Sequence, residues 1–196
     1  MDLNGKRIGF GLTGSHCTYD ETFPQMQRLM ELGANVVPIV SYTVRSTDTK
    51  FGEAWEHMER IKDITQKEII SSIPEAEPLG PKEPLDAMVI APMTGASLSK
   101  FANGLTDSPV LMAAKATLRN RNPVILAIST NDALGLNGMN LAKLLAAKYV
   151  YFVPFGQDDP YKKETSLVAH MDLLSETVDE ALKGNQLQPL LRPYNI

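Results

Sequence analysis

The chain has 196 residues, 43% of them hydrophobic, and a formal net charge of −4. That length buries a sizeable core without staples, and the acidic balance argues against nucleic acid or an anionic membrane as the main partner. One cysteine, Cys17, excludes an internal disulfide framework, and no apolar run approaches the ~20 residues of a membrane span, so a single soluble cytoplasmic domain over 1–196 is expected.

The first predicted strand, RIGFGL at 7–12, runs into TGSHC, and Gly9, Gly11 and Gly14 spell G-x-G-x-x-G. This pattern is a dinucleotide fingerprint only when an acidic residue closes the second strand to hold a ribose hydroxyl. A helix is predicted in PQMQRLMELG, where Met26, Leu29 and Met30 share a face and Gly33 stops the run. The second strand, NVVPIV at 35–40, ends in Ser41, Tyr42 and Thr43, and the next acid, Asp48, lies well beyond it. The nicotinamide reading loses its second half. Hydroxyls there suit phosphate oxygens or a sugar-alcohol chain, and Thr13, Gly14 and Ser15 offer N–H groups and hydroxyls to an anion. A mononucleotide fits better than a dinucleotide; a glycine turn that merely closes a strand–helix junction is the alternative.

Farther along, His57 in EAWEHMERIK reads as a helix-surface residue. Thr65 and Glu68 form a predicted capping box opening a helix in TQKEIISSI. The four prolines of PEAEPLGPKEPL, 74–85, predict a surface loop. The third strand, AMVIAP at 87–92, leads into MTGASLSKFANG, and the helix SPVLMAAKATLRNRN opens with Ser108 as N-cap and Pro109 in first position. STNDALGLNG follows the fourth strand, PVILAI at 123–128, and GQDDPYKKETS follows the fifth, YVYFVPF at 149–155. The last helix, TSLVAHMDLLSETVDEALKG, places Leu167, Met171, Leu174, Val178 and Leu182 on one stripe and ends at Gly184.

Continuous apolar strands alternating with helices predict an α/β fold. It is a doubly wound open parallel sheet, Rossmann-like or flavodoxin-like, in three αβα layers with a C-terminal helix. Ligands of such sheets bind outside the carboxyl ends of the strands. Asn131 at that edge is the candidate to touch a cofactor edge or substrate, with a turn-forming amide as its other reading. His16 reads as an exposed loop residue or an acid/base beside a phosphate, and Cys17 as a small buried residue or a thiol activated by a helix N-terminus. His170 is expected to face polar neighbours in the last helix. No histidine and carboxylate spacing suits a metal. Arg45, Lys50, Lys162 and Lys163 are cations that can meet an anion or simply stay solvated.

The stretch APMTGASLSKFANGLTDSPVLMAAKATLRNRNPVILAIS carries more. Through Pro92, Thr94, Ala96, Lys100, Ala102, Asn103, Gly104 and Asp107, and through Gly11, Thr13, Gly14 and Ser15, the chain resembles a flavoprotein family. That family includes the cysteine decarboxylases of coenzyme A and lantibiotic biosynthesis and the flavin prenyltransferases. The resemblance implies FMN, with a bound phosphate able to occupy the same loop. On it, Thr13, Gly14, Ser15, Ser41 and Thr43 face the phosphate and ribityl chain. Pro92, Met93, Thr94, Gly95 and Ser97 pass along the ring, and Ser129, Thr130 and Asn131 close its far side. It further implies a homo-oligomer with flavin where neighbouring copies meet, for which 42–52 and 74–85 are contact candidates. A narrower likeness over nearly the whole chain implies an oxidoreductase subunit that meets a dianionic small molecule beside a separate nicotinamide-binding chain. The family's decarboxylases place a histidine fourteen residues before the motif proline, where this chain has Pro78, and their P-A-M-N becomes I-S-T-N, keeping Asn131. Decarboxylation is therefore not carried over. A non-redox phosphate- or flavin-binding module serving a catalytic partner stays open.

Overall fold

Residues 1–193 are described by the computed structural model. Strands β1 (Arg7–Leu12), β2 (Asn35–Val40), β3 (Ala87–Met93), β4 (Val124–Thr130) and β5 (Val150–Phe152) pair in parallel in the order β2-β1-β3-β4-β5. Their interiors are buried on both faces, which is why they read as continuous apolar runs. One face packs on α1 (Tyr19–Glu31), α3 (Ala54–Thr65) and α8 (Leu174–Leu182) around Phe10, Phe23, Ile61 and Val178. The other packs on α4 (Ile73–Ala76), α5 (Gly95–Ala102), α6 (Pro109–Arg119) and α7 (Gly138–Leu145) around Met88, Leu98, Val110 and Leu141. A short helix, α2 (Tyr42–Ser46), follows β2. Strand order reverses between β1 and β3, so their carboxyl ends flank the switch point where such sheets bind ligands.

The glycines of G-x-G-x-x-G divide between two jobs. A Cβ on Gly9 would fall 2.6 Å from Leu85 Cδ1, and one on Gly11 would fall 2.8 Å from Val110 Cγ1 and 2.7 Å from Met88 Cε. Both are strand residues: Gly11 lets α6 lie close against β1, and Gly9 makes room for the Leu85 and Met88 side chains. Gly14 alone belongs to the loop.

Three predicted elements are corrected. The expected helix from Thr165 begins instead as β7 (Leu167–Ala169), then a 3-10 turn at Met171–Leu173, and only then α8. β7 runs antiparallel to Ser129 and Thr130 of β4 and to β6 (Phe155–Gln157). The reason is that β4 outruns β5, and its exposed backbone groups take the partner available. His170 thus precedes a 3-10 turn, its N–H donating to Pro154 O, rather than sitting in a helix. Thr65 ends α3 instead of opening a helix: its hydroxyl donates to Ile61 O at 2.8 Å, and Gln66 takes the left-handed conformation. The capping box lies at Ser72 and Glu75, opening α4. The 74–85 segment is no simple surface loop, because α4 and a 3-10 turn at Glu77–Leu79 bury Ala76, Leu79 and Leu85. Among the described residues, no helix is long and apolar enough to cross a membrane.

Candidate functional site

Side-chain hydroxyls tie the loops at the switch point together. Thr13 Oγ1 donates to Pro92 O at 2.7 Å and accepts from the Thr94 N–H at 3.0 Å, clasping the ends of β1 and β3. Thr94 in turn caps α5, its Oγ1 accepting from the Ser97 N–H at 3.2 Å. Ser15 Oγ shares a 2.9 Å hydrogen bond with Ser129 Oγ at the end of β4. Ser41, following β2, is only 9% exposed, and its Oγ has no hydrogen-bond partner.

Two chambers open at this edge. The smaller, about 280 Å³, is lined by Thr13, Gly14, Ser41, Thr43, Ser97 and Lys100 among others. The larger cleft, about 690 Å³, is lined in part by Ser15, Gly95, Ser129, Thr130 and Asn131. Both include Thr94 and Ala96, so they adjoin there. A Cβ on Gly14 would stand 3.0 Å from Thr43 Cγ2, so the missing side chain keeps the small chamber's wall clear. Of the predicted site residues, Pro92 and Met93 line neither chamber: Met93 is fully buried, paired with Ile128.

The K-x-A-N-G-x-x-D stretch is a helix stop, and its first and last residues line the small chamber. Lys100 Nζ meets Asp107 at 2.7 Å, Asn103 Nδ2 donates to Ser99 O at 2.8 Å, and Gly104 takes φ +74 just past α5. Lys100 thus brings a cation to the small chamber together with its ion-pair partner Asp107.

Asp132 escaped the sequence reading. Its Oδ1 accepts from Thr130 Oγ1 at 2.6 Å and its Oδ2 from Asn137 Nδ2 at 2.8 Å. Asn140 then donates to Asn137, and Asn103 to Asn140, so the chain of amides reaches from the cleft wall to the end of α5. The asparagine-rich STNDALGLNGMN was the available signal.

Three expectations about single residues are corrected. Cys17 is exposed and lines the larger cleft rather than being buried. His16 and His57, read as surface residues, are each 7% exposed with an unpartnered Nε2. Their rings lie 5.5 Å apart, and His57 stands edge-on to Tyr19 at 4.9 Å. His16 Nδ1 lies 3.0 Å from Gly14 O, a carbonyl that can only accept, so this nitrogen carries the proton. Tyr19 is fixed beneath the loop by donating to Thr13 O at 2.9 Å, and burial pushes its phenol far above the usual range. Lys162 has its N–H on Asp159, Lys163 borders the larger cleft, and Lys50 Nζ sits over the Phe51 ring.

Burial, then the proximity of His16, holds the His57 imidazole below its usual range; Arg60 pushes the same way, while Glu56 and Asp20 oppose. A folded-state value below the unfolded one means that protons favour unfolding. The stability is therefore complete above about pH 6.5 and falls as pH drops below it. One such group loses at most about 1.4 kcal/mol per pH unit, so melting at pH 5.5 should come below melting at pH 7.5, by no more than roughly 3–5 °C. His57→Phe should flatten that step; an unchanged step in differential scanning fluorimetry would assign it elsewhere.

A parallel-dominant sheet under two helical layers is the flavodoxin-like, Rossmann-type architecture of flavoproteins. The chain belongs to the Flavoprotein family, whose model matches residues 1–180. It is 63% identical over 189 residues to the B subunit of dipicolinate synthase from Bacillus subtilis (strain 168), covering 96% of this chain and 94% of that one. The crystal structure of the dipicolinate synthase B subunit from Bacillus halodurans C superposes with a TM-score of 0.92 at 63% identity, over 98% of this chain and 99% of that one. The FMN-dependent cysteine decarboxylase SpaF shares the fold alone, with a TM-score of 0.64 at 16% identity over 91% and 98% of the two chains.

Proposed function

We propose that this chain is the FMN-binding B subunit of a dipicolinate synthase. In this reading it contributes to oxidation of a dihydrodipicolinate-level precursor to pyridine-2,6-dicarboxylate. A partner A chain supplies the nicotinamide site, in the mother-cell cytoplasm of a sporulating bacterium. The 63% identity to two proteins of that name supports the assignment. The observation that carries the cofactor is Ser41, a residue lining the small chamber whose buried Oγ has no hydrogen-bond partner. A buried polar group without a partner is costly, and a phosphate oxygen would satisfy it.

The residues present fit FMN. Ser41, Thr43, Ser97 and the Gly14 backbone would hold the phosphate, with Lys100 offsetting its charge. The Thr94–Ala96 passage would take the ribityl chain, and Ser15, Ser129, Thr130 and Asn131 would border the ring. Asn131 Oδ1 already accepts from Ser166, at 3.5 Å, leaving its amide N–H groups as the donors it can offer. Bound flavin would supply a two-electron acceptor for the hydride that leaves the precursor. Thr13 has a positioning task, since both of its contacts are to protein backbone.

FMN at 100 times its dissociation constant adds ~2.7 kcal/mol and should raise the melting temperature by roughly 5–10 °C, with NAD doing far less. The decisive assay follows pyridine absorbance from precursor and nicotinamide cofactor, using A chain with and without this chain and FMN. Full rate from the A chain alone would refute the proposed role. A rate that needs this chain but no flavin would replace it with the binding-module reading. Self-association completes the proposal: Tyr42, Phe51 and Trp55 are exposed together in and after the 42–52 segment. Sedimentation showing only monomer at micromolar concentration, with activity intact, would remove that part.

A further inference from the structure

The larger cleft has a charge problem for an anionic ligand. Glu21, Asp132 and Asp158 all line it, and Lys163 is the one cation among its described lining residues. Two of those acids are already engaged. Asp132 accepts from Thr130 and Asn137 through separate oxygens, and Asp158 Oδ2 holds Lys163 Nζ at 2.5 Å.

Lys163 is carried by a built hairpin loop between β6 and β7, not by a loose tail. Asp159 Oδ1 accepts from the N–H groups of Tyr161 and Lys162, and Asp159 O accepts from the Lys163 N–H at 2.7 Å. Gln157 Nε2 donates to Glu164 O, and Thr165 Oγ1 donates to Asn131 O at 2.6 Å, fastening the loop to the end of β4. The Lys163 side chain is about half exposed, as is much of its partner, so the pair is solvent-screened and readily exchanged.

We propose that Lys163 takes a carboxylate of a small dianionic substrate in the larger cleft, and that Asp158 holds the ammonium group in place until that carboxylate displaces it. The inference rests on the reading of this cleft as the site beside the flavin, and it names the substrate's anchor there. Hydrogen bonding to Asp158, followed by that residue's charge, lifts Lys163 above the usual lysine range, so it is charged throughout neutral pH.

The two members of the pair therefore have opposite effects on anion binding, which a merely structural ion pair would not. Pyridine-2,6-dicarboxylate is the probe, titrated calorimetrically in metal-free buffer into the flavin-loaded protein. Lys163→Gln should weaken it roughly tenfold, and Lys163→Arg should restore it to within about threefold. Asp158→Asn, by removing the competitor, should tighten it roughly threefold. FMN affinity should change less than probe affinity in all three variants, since Lys163 lines the larger cleft and is not among the lining residues of the small chamber assigned to the phosphate. Equal weakening by Lys163→Gln and Asp158→Asn would overturn the proposal, as would no effect of Lys163→Gln or no binding of the probe to wild type. Failure of wild type to take up flavin would count against the cofactor reading instead. The same titration on flavin-free protein would then still test Lys163.

Discussion

Ser41→Ala should weaken FMN binding by roughly ten- to a hundredfold while leaving the ligand-free protein as stable as before, or slightly more so. Most serine-to-alanine changes in a buried site lose a native hydrogen bond and lower stability. Here Oγ has no bond to lose, although the residue is only 9% exposed. An unsatisfied buried hydroxyl costs about 1–3 kcal/mol, so its removal is neutral to favourable without ligand. With ligand, a hydrogen bond to a charged phosphate oxygen is worth about 1.5–3 kcal/mol, which gives the predicted loss of affinity. Thr13, on the same wall, contrasts with it because its hydroxyl both donates and accepts within the fold. Flavin fluorescence titration and a thermal melt of the unliganded variant give the two readouts. A lower melting temperature with unchanged FMN affinity would make Ser41 a structural residue and remove the main support for placing the phosphate there.

The parallel core was legible because burial on both faces leaves an uninterrupted apolar run. β1 and β2 match their predicted bounds, while β3 and β4 extend one or two residues farther. The antiparallel end was not legible. β6 and β7 have three residues each, too few to show a period, and Leu167 fits a helical stripe as well as a strand. At the site, the hydroxyl loops could be found because strand ends converge at one edge whatever the details of the helices. The Asp132 network could not, because it joins Asn103 to Asn140 across 37 residues and depends on how α5 and α7 meet. The histidine pair failed for a different reason. Near the start of α3, Trp55 is 61% exposed while His57 is buried against Tyr19 and Phe23. Hydropathy ranks those two residues the other way round; the rotational phase of the helix decides. The glycine motif misleads in a similar way, since spacing cannot distinguish a glycine that admits a phosphate from one that admits a helix.

Gly95→Ala and Gly138→Ala should change stability in opposite directions although they occupy the same position in two helices of equal length. Each glycine is the first residue of an eight-residue helix, α5 and α7 respectively. Intrinsic propensity favours alanine over glycine by up to about 1 kcal/mol in a helix, so on that ground alone both variants gain. At Gly138 nothing opposes the gain, because the new Cβ would meet only Ala133 O at 3.5 Å, an ordinary contact. At Gly95 the Cβ would fall 2.5 Å from Thr130 Oγ1, 2.6 Å from Asp132 Oδ1 and 2.9 Å from Asn137 Nδ2. Thr130 Oγ1 donates to Asp132 Oδ1 and Asn137 Nδ2 to the other oxygen of the same carboxylate, so none of the three side chains can yield without straining a short hydrogen bond. Overpacking costs about 1–3 kcal/mol, and a broken buried hydrogen bond adds about 1 kcal/mol, which together exceed the propensity gain. The net loss of about 1–3 kcal/mol should lower the Gly95→Ala melting temperature by roughly 2–10 °C, while Gly138→Ala melts at or slightly above wild type. Because Gly95 lines the larger cleft and Gly138 lines neither chamber, the Gly95 variant should also lose FMN affinity, and Gly138→Ala should not. Equal melting temperatures for the two variants would mean that the Thr130–Asp132–Asn137 cluster is soft, and that it does not set the wall of the cleft.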